Sequence, residues 1–186
     1  YGASPTTDKS SVDRLDYSND SAAKSPKGPL TATKYASAGT GNVDFGYIAG
    51  GNPVTNLTTV AKGPLSAARA YLGATGNSSF GYFGGAFPGP HSTVDRIDYS
   101  NDTATASPKG PLSSARGQSA ATGNADFGYF GAGFDNNPNR VSTVDRVDYS
   151  NDTATASTKG PLSNTVMNHA ASSSRANGIP LKGPGI

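Results

Sequence analysis

Short segments that alternate apolar and polar residues recur along the chain, and turn residues separate them. Alternation with a period of two predicts strands that bury one face, and Gly, Pro, Asn and Asp between them predict tight turns. Within one repeat the pattern predicts short antiparallel strands. They are Thr93 to Tyr99, which ends in a turn at Ser100-Asn101-Asp102, then Thr103 to Ala106, closed by Pro108, then Ala115 to Thr122, and Phe127 to Phe130.

Three signatures recur in a fixed order and define a repeating unit. An aromatic-glycine segment starts at Phe45, Phe80 and Phe127, a Val-Asp-Arg segment that ends in Tyr-Ser-Asn-Asp starts at Ser10, Ser92 and Ser142, and Lys-Gly-Pro-Leu starts at Lys27, Lys62, Lys109 and Lys159. The last two units lie about 50 residues apart, which is in the range of repeat lengths of propeller blades. Repetition this close predicts a tandem array.

Composition agrees with an all-β array. The chain has 186 residues with 24 Gly and 13 Pro, and all of its 13 acidic side chains are Asp. A chain with no Glu and one Met lacks residues that favour helix interiors. Disorder is the alternative for so polar a chain, but the aromatic residues recur at fixed positions, which disorder does not require.

Charge and cysteine content exclude several kinds of protein. The net charge of +2 is too small, and the basic residues too dispersed, to indicate nucleic-acid binding. The absence of Cys excludes disulfides and thiolate sites, and no apolar run is long enough for a membrane span. Because the sequence starts at Tyr1, we expect a processed chain or a piece of a longer one.

The order of the signatures resembles that of kelch repeats. Paired glycines at Gly84-Gly85 end a hydrophobic strand, Tyr99 ends another, a tight turn follows at Asn101-Asp102, and Arg116 precedes the next strand. The resemblance covers most of residues 10–162 and implies a β-propeller of four-stranded blades. The chain departs from the family in having no Trp, so we expect each blade to be thinner or to depend more on Tyr and Phe.

We expect residues 1–186 to form one array of kelch-like blades. The predicted parts are a partial blade at 1–30, a shortened blade at 31–65, complete blades at 66–112 and 113–162, and a closing or linking segment at 163–186; the first four are called the first to fourth units below. Two interpretations stay open, a closed ring of about four blades and a fragment of a larger propeller or fibre. The second is slightly favoured because the last segment lacks the aromatic signature and has Val166 where Arg is expected.

The repeated carboxylates are the first candidates for chemistry. Asp95 and Asp98 could suggest an acid–base pair, but residues three apart on a strand point to opposite faces. We therefore expect Arg96 and Asp98, which share a face, to pair within or between blades. The same structural role is expected at equivalent positions of the other units, Arg14, Asp16, Arg146 and Asp148.

Other patterns of catalytic or binding residues are weak. The Ser-Asn-Asp turns could offer oxygen ligands to calcium, but the full ligand spacing of a calcium loop is absent. His91 and His169 lie in unrelated contexts, and the glycine-rich segment from Phe80 has no Lys and helix after it to bind phosphate. We expect no catalytic residue, no cofactor and no metal.

Aromatic residues beyond the glycines are the better candidates for binding. Phe83 and Phe130 are expected to replace Trp in the core, whereas Phe87 and Phe134 are expected in loops. Loops on a rigid scaffold often carry binding residues. The predicted partner-binding residues are Phe87, His91, Phe134 and Asn137.

The units are nearly identical, as in the stretch from Ser92 to Ser107, and in this they also resemble repeats in structural proteins of marine bacteriophages. That resemblance implies a non-enzymatic structural or adhesive protein of a virion fibre, appendage or surface, which associates with itself or with other structural subunits and contacts a host surface or glycans. The alternatives are a kelch-type protein-interaction module, which could be cytoplasmic, and, with least support, an extracellular propeller enzyme.

Overall fold

The computed structural model of the chain describes residues 10–14, 21, 23, 25–30, 33–42, 44–52, 63–136 and 139–173. In this part the chain forms antiparallel sheets with two three-residue 3-10 turns, so the prediction of an all-β protein is confirmed. No helix in the described part is long and apolar enough to cross a membrane.

The third and fourth units each form one four-stranded sheet in which neighbours in sequence are neighbours in space. The strands of the third unit are β5 (Gly73–Gly76), β6 (Phe80–Gly84), β7 (Val94–Asp98) and β8 (Ser107–Lys109). Those of the fourth unit are β9 (Ala120–Gly123), β10 (Phe127–Asn136), β11 (Asn139–Asp148) and β12 (Ser157–Lys159). Each of these units is thus an up-and-down meander with short connections.

The first two units contribute one hairpin each. β1 (Val12–Arg14) pairs with β2 (Ser25–Lys27), and β3 (Tyr35–Gly41) pairs with β4 (Gly46–Asn52). By sequence, β1 and β2 correspond to the last two strands of a complete unit, and β3 and β4 to the first two. The sequence also predicts an outer strand of the second unit from Val54 to Val60, and that segment lies outside the described residues.

One predicted strand is wrong. Thr103 to Ala106 forms a turn and an extended connection, and the strand begins at Ser107 and includes Pro108. Because β8 is the last strand of its sheet, Pro108 removes no hydrogen bond that the sheet requires. The position of a proline on an edge strand cannot be recognised from local pattern alone.

The first strands of successive units lie side by side, with β3 packed against β5 and β5 against β9. One residue just before or within each of these strands has a left-handed backbone. From the third unit onwards, this residue donates its backbone N–H to the carbonyl of the equivalent residue in the preceding unit. Tyr71 donates to Ala36, Gln118 to Tyr71 and Asn168 to Gln118, over 2.8, 2.9 and 3.2 Å. The segment after the fourth unit therefore continues the repeat as far as Asn168, and the Val166 carbonyl accepts from Gly133 N as the Arg116 carbonyl accepts from Ala86 N.

Aromatic side chains fill the core, as the absence of Trp requires. Phe83 and Phe130 are fully buried, which confirms their predicted positions. Phe83 packs in a cluster shared by the second and third units, and Phe130 packs in one shared by the third and fourth units. The core thus lies largely between units, and each unit depends on its neighbour to bury its apolar surface.

A buried ion pair joins the two ends of each complete unit. Arg69 contacts Asp95 at 2.6 Å, and Arg116 contacts Asp145 at 2.9 Å. Both carboxylates also accept from a serine, Ser66 in the third unit and Ser113 in the fourth. Burial lowers the pKa of Arg116, and the carboxylate opposes this shift.

The Asp pairs weighed in the sequence are therefore separated. Asp95 is fully buried against Arg69, whereas Asp98 lies three residues further on at the start of a 3-10 turn. The arginine neutralises the charge of the buried carboxylate and holds its side chain in place. The arginine that recurs at this position of each complete unit thus has a structural explanation.

Candidate functional site: the aromatic edge and the faces between units

An unbroken row of aromatic rings lies at the beginning of the first strands. Tyr35, Tyr71, Phe87 and Phe134 follow one another with edge-to-face contacts, and their ring centroids are 6.3, 6.0 and 5.4 Å apart. We call these four residues the aromatic edge. The rings come from the second, third and fourth units, so a rigid array of strands fixes their spacing.

The backbone fixes where the aromatic edge begins. Tyr71 is itself the left-handed residue of the third unit, with φ of 57°, and Tyr35 directly precedes the left-handed Ala36. A left-handed backbone at a bulky residue is uncommon and costs conformational energy. Here the hydrogen bond from Tyr71 N to the Ala36 carbonyl, 2.8 Å long, holds the backbone in that conformation. A hydrogen bond between two neighbouring units thus fixes the backbone from which the Tyr71 ring extends.

Phe87 and Phe134, both expected in loops, belong to the aromatic edge, and they differ from the core phenylalanines in exposure. Phe87 lies in a turn, whereas Phe134 lies within β10, so the loop prediction for Phe134 is wrong. Phe87 and Phe134 are partly exposed, and they contact each other. His91 is exposed on the loop that follows Phe87, and its carbonyl accepts from Arg116 N. Asn137 lies outside the described residues.

Sequence reasoning missed Tyr35 and Tyr71 because both lie outside the aromatic-glycine signature. Tyr35 is nevertheless 49% exposed, more than most aromatic side chains in the described chain. The sequence did contain a signal for both tyrosines. When the units are aligned on Lys-Gly-Pro-Leu, Lys34 and Arg69 are equivalent, and a tyrosine follows each of them within two residues. Aligning the units on that signature would have placed both near the left-handed position.

A second set of contacts joins each unit to the next through the Tyr-Ser-Asn-Asp turn. Tyr82 of the third unit stacks on Tyr149 of the fourth with ring centroids 4.7 Å apart, and its hydroxyl donates to Asp152 at 3.0 Å. Asp152 also accepts from Arg96 at 2.7 Å. The Thr75 hydroxyl shares a hydrogen bond of 3.1 Å with Tyr149.

The backbone after the turn completes this contact. Gly110 N donates to the Asp152 carbonyl at 2.8 Å, and Ala156 N donates to the Pro111 carbonyl at 2.8 Å. A Cβ on Gly110 would collide with the Ala154 carbonyl, so only glycine fits there. The part of the third unit that receives the turn is called its receptor face, and it comprises Thr75, Tyr82, Arg96, Gly110 and Leu112.

The second unit receives the turn of the third in the same way. Tyr47 stacks on Tyr99 with centroids 4.7 Å apart and donates to Asp102 at 2.9 Å, and Thr40 shares a hydrogen bond of 3.3 Å with Tyr99. Burial, with the neighbouring Asp102 carboxylate, raises the pKa of Tyr47 to about 12, and burial raises that of Tyr99 to about 12. Both phenols therefore stay protonated at neutral pH and can donate or share hydrogen bonds.

The expected pairing of Arg96 with Asp98 is wrong in its partner. Arg96 crosses to Asp152 of the next unit, while the Asp98 carboxylate accepts from the backbone and hydroxyl of Ser100 at 2.9 and 2.7 Å. These hydrogen bonds, the hydroxyl's above all, lower the pKa of Asp98. Adjacent short hydrogen-bonding partners compete successfully with a longer arginine side chain.

The equivalent residues of the fourth unit make similar local contacts, and those of the first unit lie largely outside the described part. Asp148 accepts from Ser150 in the same way, and its pKa is lowered for the same reason. Arg146 lies over the Phe127 ring, 4.2 Å from its centroid, as Arg96 lies over Phe80 at 4.3 Å. Arg14 ends β1, its side chain being outside the described part, and Asp16 lies outside the described residues altogether.

One cavity of about 420 Å³ opens at the other end of the sheets, beside the turn of the fourth unit. Asp126, Asp148 and Asn77 line it together with aromatic and backbone atoms. Asp148 is already engaged by Ser150. Within the described residues no group of three or more His or Asp side chains is arranged to hold a metal ion.

Comparison with known proteins assigns no family. No protein-family model matches the chain, and no curated protein shows significant sequence similarity to it.

Proposed function

We propose that this chain is a non-enzymatic structural and adhesive repeat protein, and that its aromatic edge contacts glycans or a host surface. The aromatic edge is the observation that carries the proposal. Its four rings contact one another in a row. Tyr35 and Phe134 lie within strands, and backbone hydrogen bonds to neighbouring segments hold Tyr71 and Phe87. Aromatic side chains fixed in this way lose little conformational entropy when they bind, and they offer large apolar surfaces.

We further propose that the units are arranged radially, as the kelch-like signatures imply. Support comes from the meander order of each four-stranded sheet and from the side-by-side packing of β3, β5 and β9. In such an arrangement the first strands line an axis and the aromatic edge lies at one end of it. A virion fibre, appendage or surface-decoration component, located outside the cell, is the role that fits the near-identical units.

The test of adhesion compares exposed aromatic residues on and off the edge. Tyr35→Ala and Phe134→Ala should each weaken binding on a glycan array or to immobilised cells by about tenfold, which corresponds to about 1.4 kcal/mol. Phe45→Ala is the matched control, because Phe45 is 58% exposed and lies off the edge. Equal losses for all three variants, or no binding by the unmodified chain, would refute the adhesive role.

The test of location and arrangement is an image of the native particle that carries this chain. Electron microscopy should show a radial array of sheets on a fibre or particle surface. A defined protein partner recovered from cytoplasm, with no surface-bound material, would instead support an interaction module inside a cell.

A further inference from the structure

The fourth unit carries the same receptor residues as the third, but no Tyr-Ser-Asn-Asp turn from the described part of the chain lies on them. By alignment of the units, this terminal face comprises Thr122, Tyr129, Arg146, Gly160 and Leu162. In the third unit the equivalent residues hold the Tyr-Ser-Asn-Asp turn through stacking, hydrogen bonds and an ion pair. The terminal face is therefore a preformed site of known ligand chemistry.

The burial of the equivalent leucines and the space around the equivalent glycines show that the part of the terminal face formed by Gly160 and Leu162 is not covered by other described residues. Leu162 is 38% exposed, whereas Leu112 is 2% exposed and Leu65 is 3% exposed. A Cβ on Gly160 would meet nothing within 4 Å, although the equivalent glycines of the second and third units are tightly packed against the next turn. The Lys-Gly-Pro-Leu signature of the fourth unit thus leaves the Leu162 side chain partly exposed and the space beside Gly160 empty.

Among the described residues, two of the seven buried polar side-chain atoms without a hydrogen-bond partner belong to this face. The Thr122 hydroxyl and the Arg146 Nε are buried and have no hydrogen-bond partner in the described chain. Thr75, the equivalent of Thr122, shares its hydroxyl with Tyr149 of the following unit. A buried hydroxyl without a partner is costly, and the phenol of another Tyr-Ser-Asn-Asp turn would satisfy it.

The first unit supplies a turn with no receptor face ahead of it among the described residues. Its sequence from Ser10 to Asp20 matches the third unit at nearly every position. The flanking strands pair in the same register, since Val12 faces Lys27 as Val94 faces Lys109. The sequence of the first unit thus predicts a turn of the kind that the receptor face of the fourth unit is built to receive, and the described contacts between units use neither of them. The charges are also complementary, because Arg146 and Lys159 would meet the carboxylate of Asp20.

Among the described residues, no segment of the second unit contacts the first unit in the way that the later turns contact the units before them. A Cβ on Gly28 meets nothing within 4 Å, in contrast to Gly63 and Gly110. The hairpin of β1 and β2 is thus joined to the rest of the chain without the turn contact that fixes the later units. A hairpin held in this way can reach a receptor face outside its own chain.

We propose that the terminal face binds the Tyr17–Asp20 turn of a second copy of this chain, so that copies associate head to tail. Such an interface is heterologous, and it yields a ring or a filament according to its rotation. The association does not depend on what the aromatic edge binds. One position differs from the internal contacts: Lys24 stands where Ala106 and Ala156 are buried. We therefore expect the association between chains to be weaker than the contact between units.

Analytical ultracentrifugation of the whole chain over a range of concentrations tests the proposal. The unmodified chain should associate as concentration rises, and Gly160→Val should weaken association by about tenfold or more. Gly28→Val is the matched control, because it adds the same side chain to the same signature at another open position. Lys24→Ala should tighten association, since it restores the residue found at the internal contacts. Leu162→Asp, on an exposed side chain, provides a second disrupting variant if Gly160→Val folds poorly.

Cross-linking separates association between chains from closure within one chain, and the absence of native Cys makes it specific. Leu112 and Ala156 pack in one cluster, so Leu162→Cys in one copy and Lys24→Cys in another should form a disulfide after mixing. A bridge that forms only within monomers of the double variant would overturn the proposal in favour of a closed ring. Strictly monomeric behaviour, or association that Gly160→Val leaves unchanged, would overturn it as well.

Discussion

The third and fourth units share a sequence pattern and a four-stranded sheet, but their receptor faces are in different states. On the third unit Tyr82 stacks on the next turn, Arg96 pairs with Asp152 and Leu112 is 2% exposed. On the fourth unit Leu162 is 38% exposed and the Thr122 hydroxyl has no partner in the described chain. The same residues are thus core in one place and surface in another.

The difference teaches that the repeating sequence specifies an interface as much as it specifies a unit. A residue conserved between units stabilises the chain only where the next unit is present to contact it, as in other arrays whose stability is a sum of unit and neighbour terms. Paired substitutions, one at each face, can therefore separate the stability of the unit from the stability of its contact.

The largest expected loss of stability tests whether the buried ion pairs of the third and fourth units contribute equally. Arg69→Met and Arg116→Met each leave a fully buried aspartate without its partner, and each should lower the free energy of unfolding by about 3–5 kcal/mol. Denaturation followed by tyrosine fluorescence measures this, because the chain has no Trp. Arg140→Met, at an exposed position, should change stability by less than about 0.5 kcal/mol. A much smaller loss at Arg116 would mean that the units differ inside as well as at their faces.

The next effect concerns the glycine of the Lys-Gly-Pro-Leu signature. Gly110→Val would force a collision with the Ala154 carbonyl and should cost about 3 kcal/mol, as overpacking does. Gly160→Val, measured on dilute protein, should be close to neutral because nothing lies within 4 Å. Thermal melting of the two variants provides the comparison. If both melt alike, the faces are not different in the way the structure indicates.

The phenol that donates to the turn has an intermediate effect. Tyr82→Phe removes a hydrogen bond to a carboxylate, which should cost about 1.5–3 kcal/mol. Tyr129→Phe removes a hydroxyl that donates to nothing in the described chain, so at low concentration we expect a change below about 0.5 kcal/mol. Urea titrations at one dilute concentration measure both, and a loss at Tyr129 as large as at Tyr82 would show that the terminal face is occupied.

The sequence predicted the all-β class, the turns and the buried positions of Phe83 and Phe130, because local alternation and turn chemistry determine them. It misplaced the strand that contains Pro108, since whether a strand lies at an edge depends on tertiary structure. It also misassigned the partner of Arg96. The turn of the next unit brings Asp152 within 2.7 Å of Arg96, whereas Asp98 accepts from Ser100 beside it.

The candidate site was only partly predictable for a related reason. Phe87 and Phe134 could be found from their position after the glycines, whereas Tyr35 and Tyr71 joined the row because left-handed residues bring successive units together. Neither the backbone conformation nor the neighbour is visible in a single unit. The terminal face was equally hidden, since its residues are identical in type to ones that are covered in the other units.

The smallest expected change in stability discriminates best between the two receptor faces, because its sign should differ between them. Thr75→Val removes the hydroxyl that Tyr149 shares and leaves the phenol with one partner fewer, so stability should fall by about 1 kcal/mol. Thr122→Val removes a buried hydroxyl that has no partner in the described chain, so at dilution it should be neutral or slightly stabilising. Differential scanning calorimetry on dilute samples resolves the two. At high concentration Thr122→Val should instead weaken association, because Tyr17 of a second copy would lose the hydroxyl with which it forms a hydrogen bond. A variant that stabilises the isolated chain and weakens its association would show that Thr122 contributes to the contact between chains and not to the stability of its own unit.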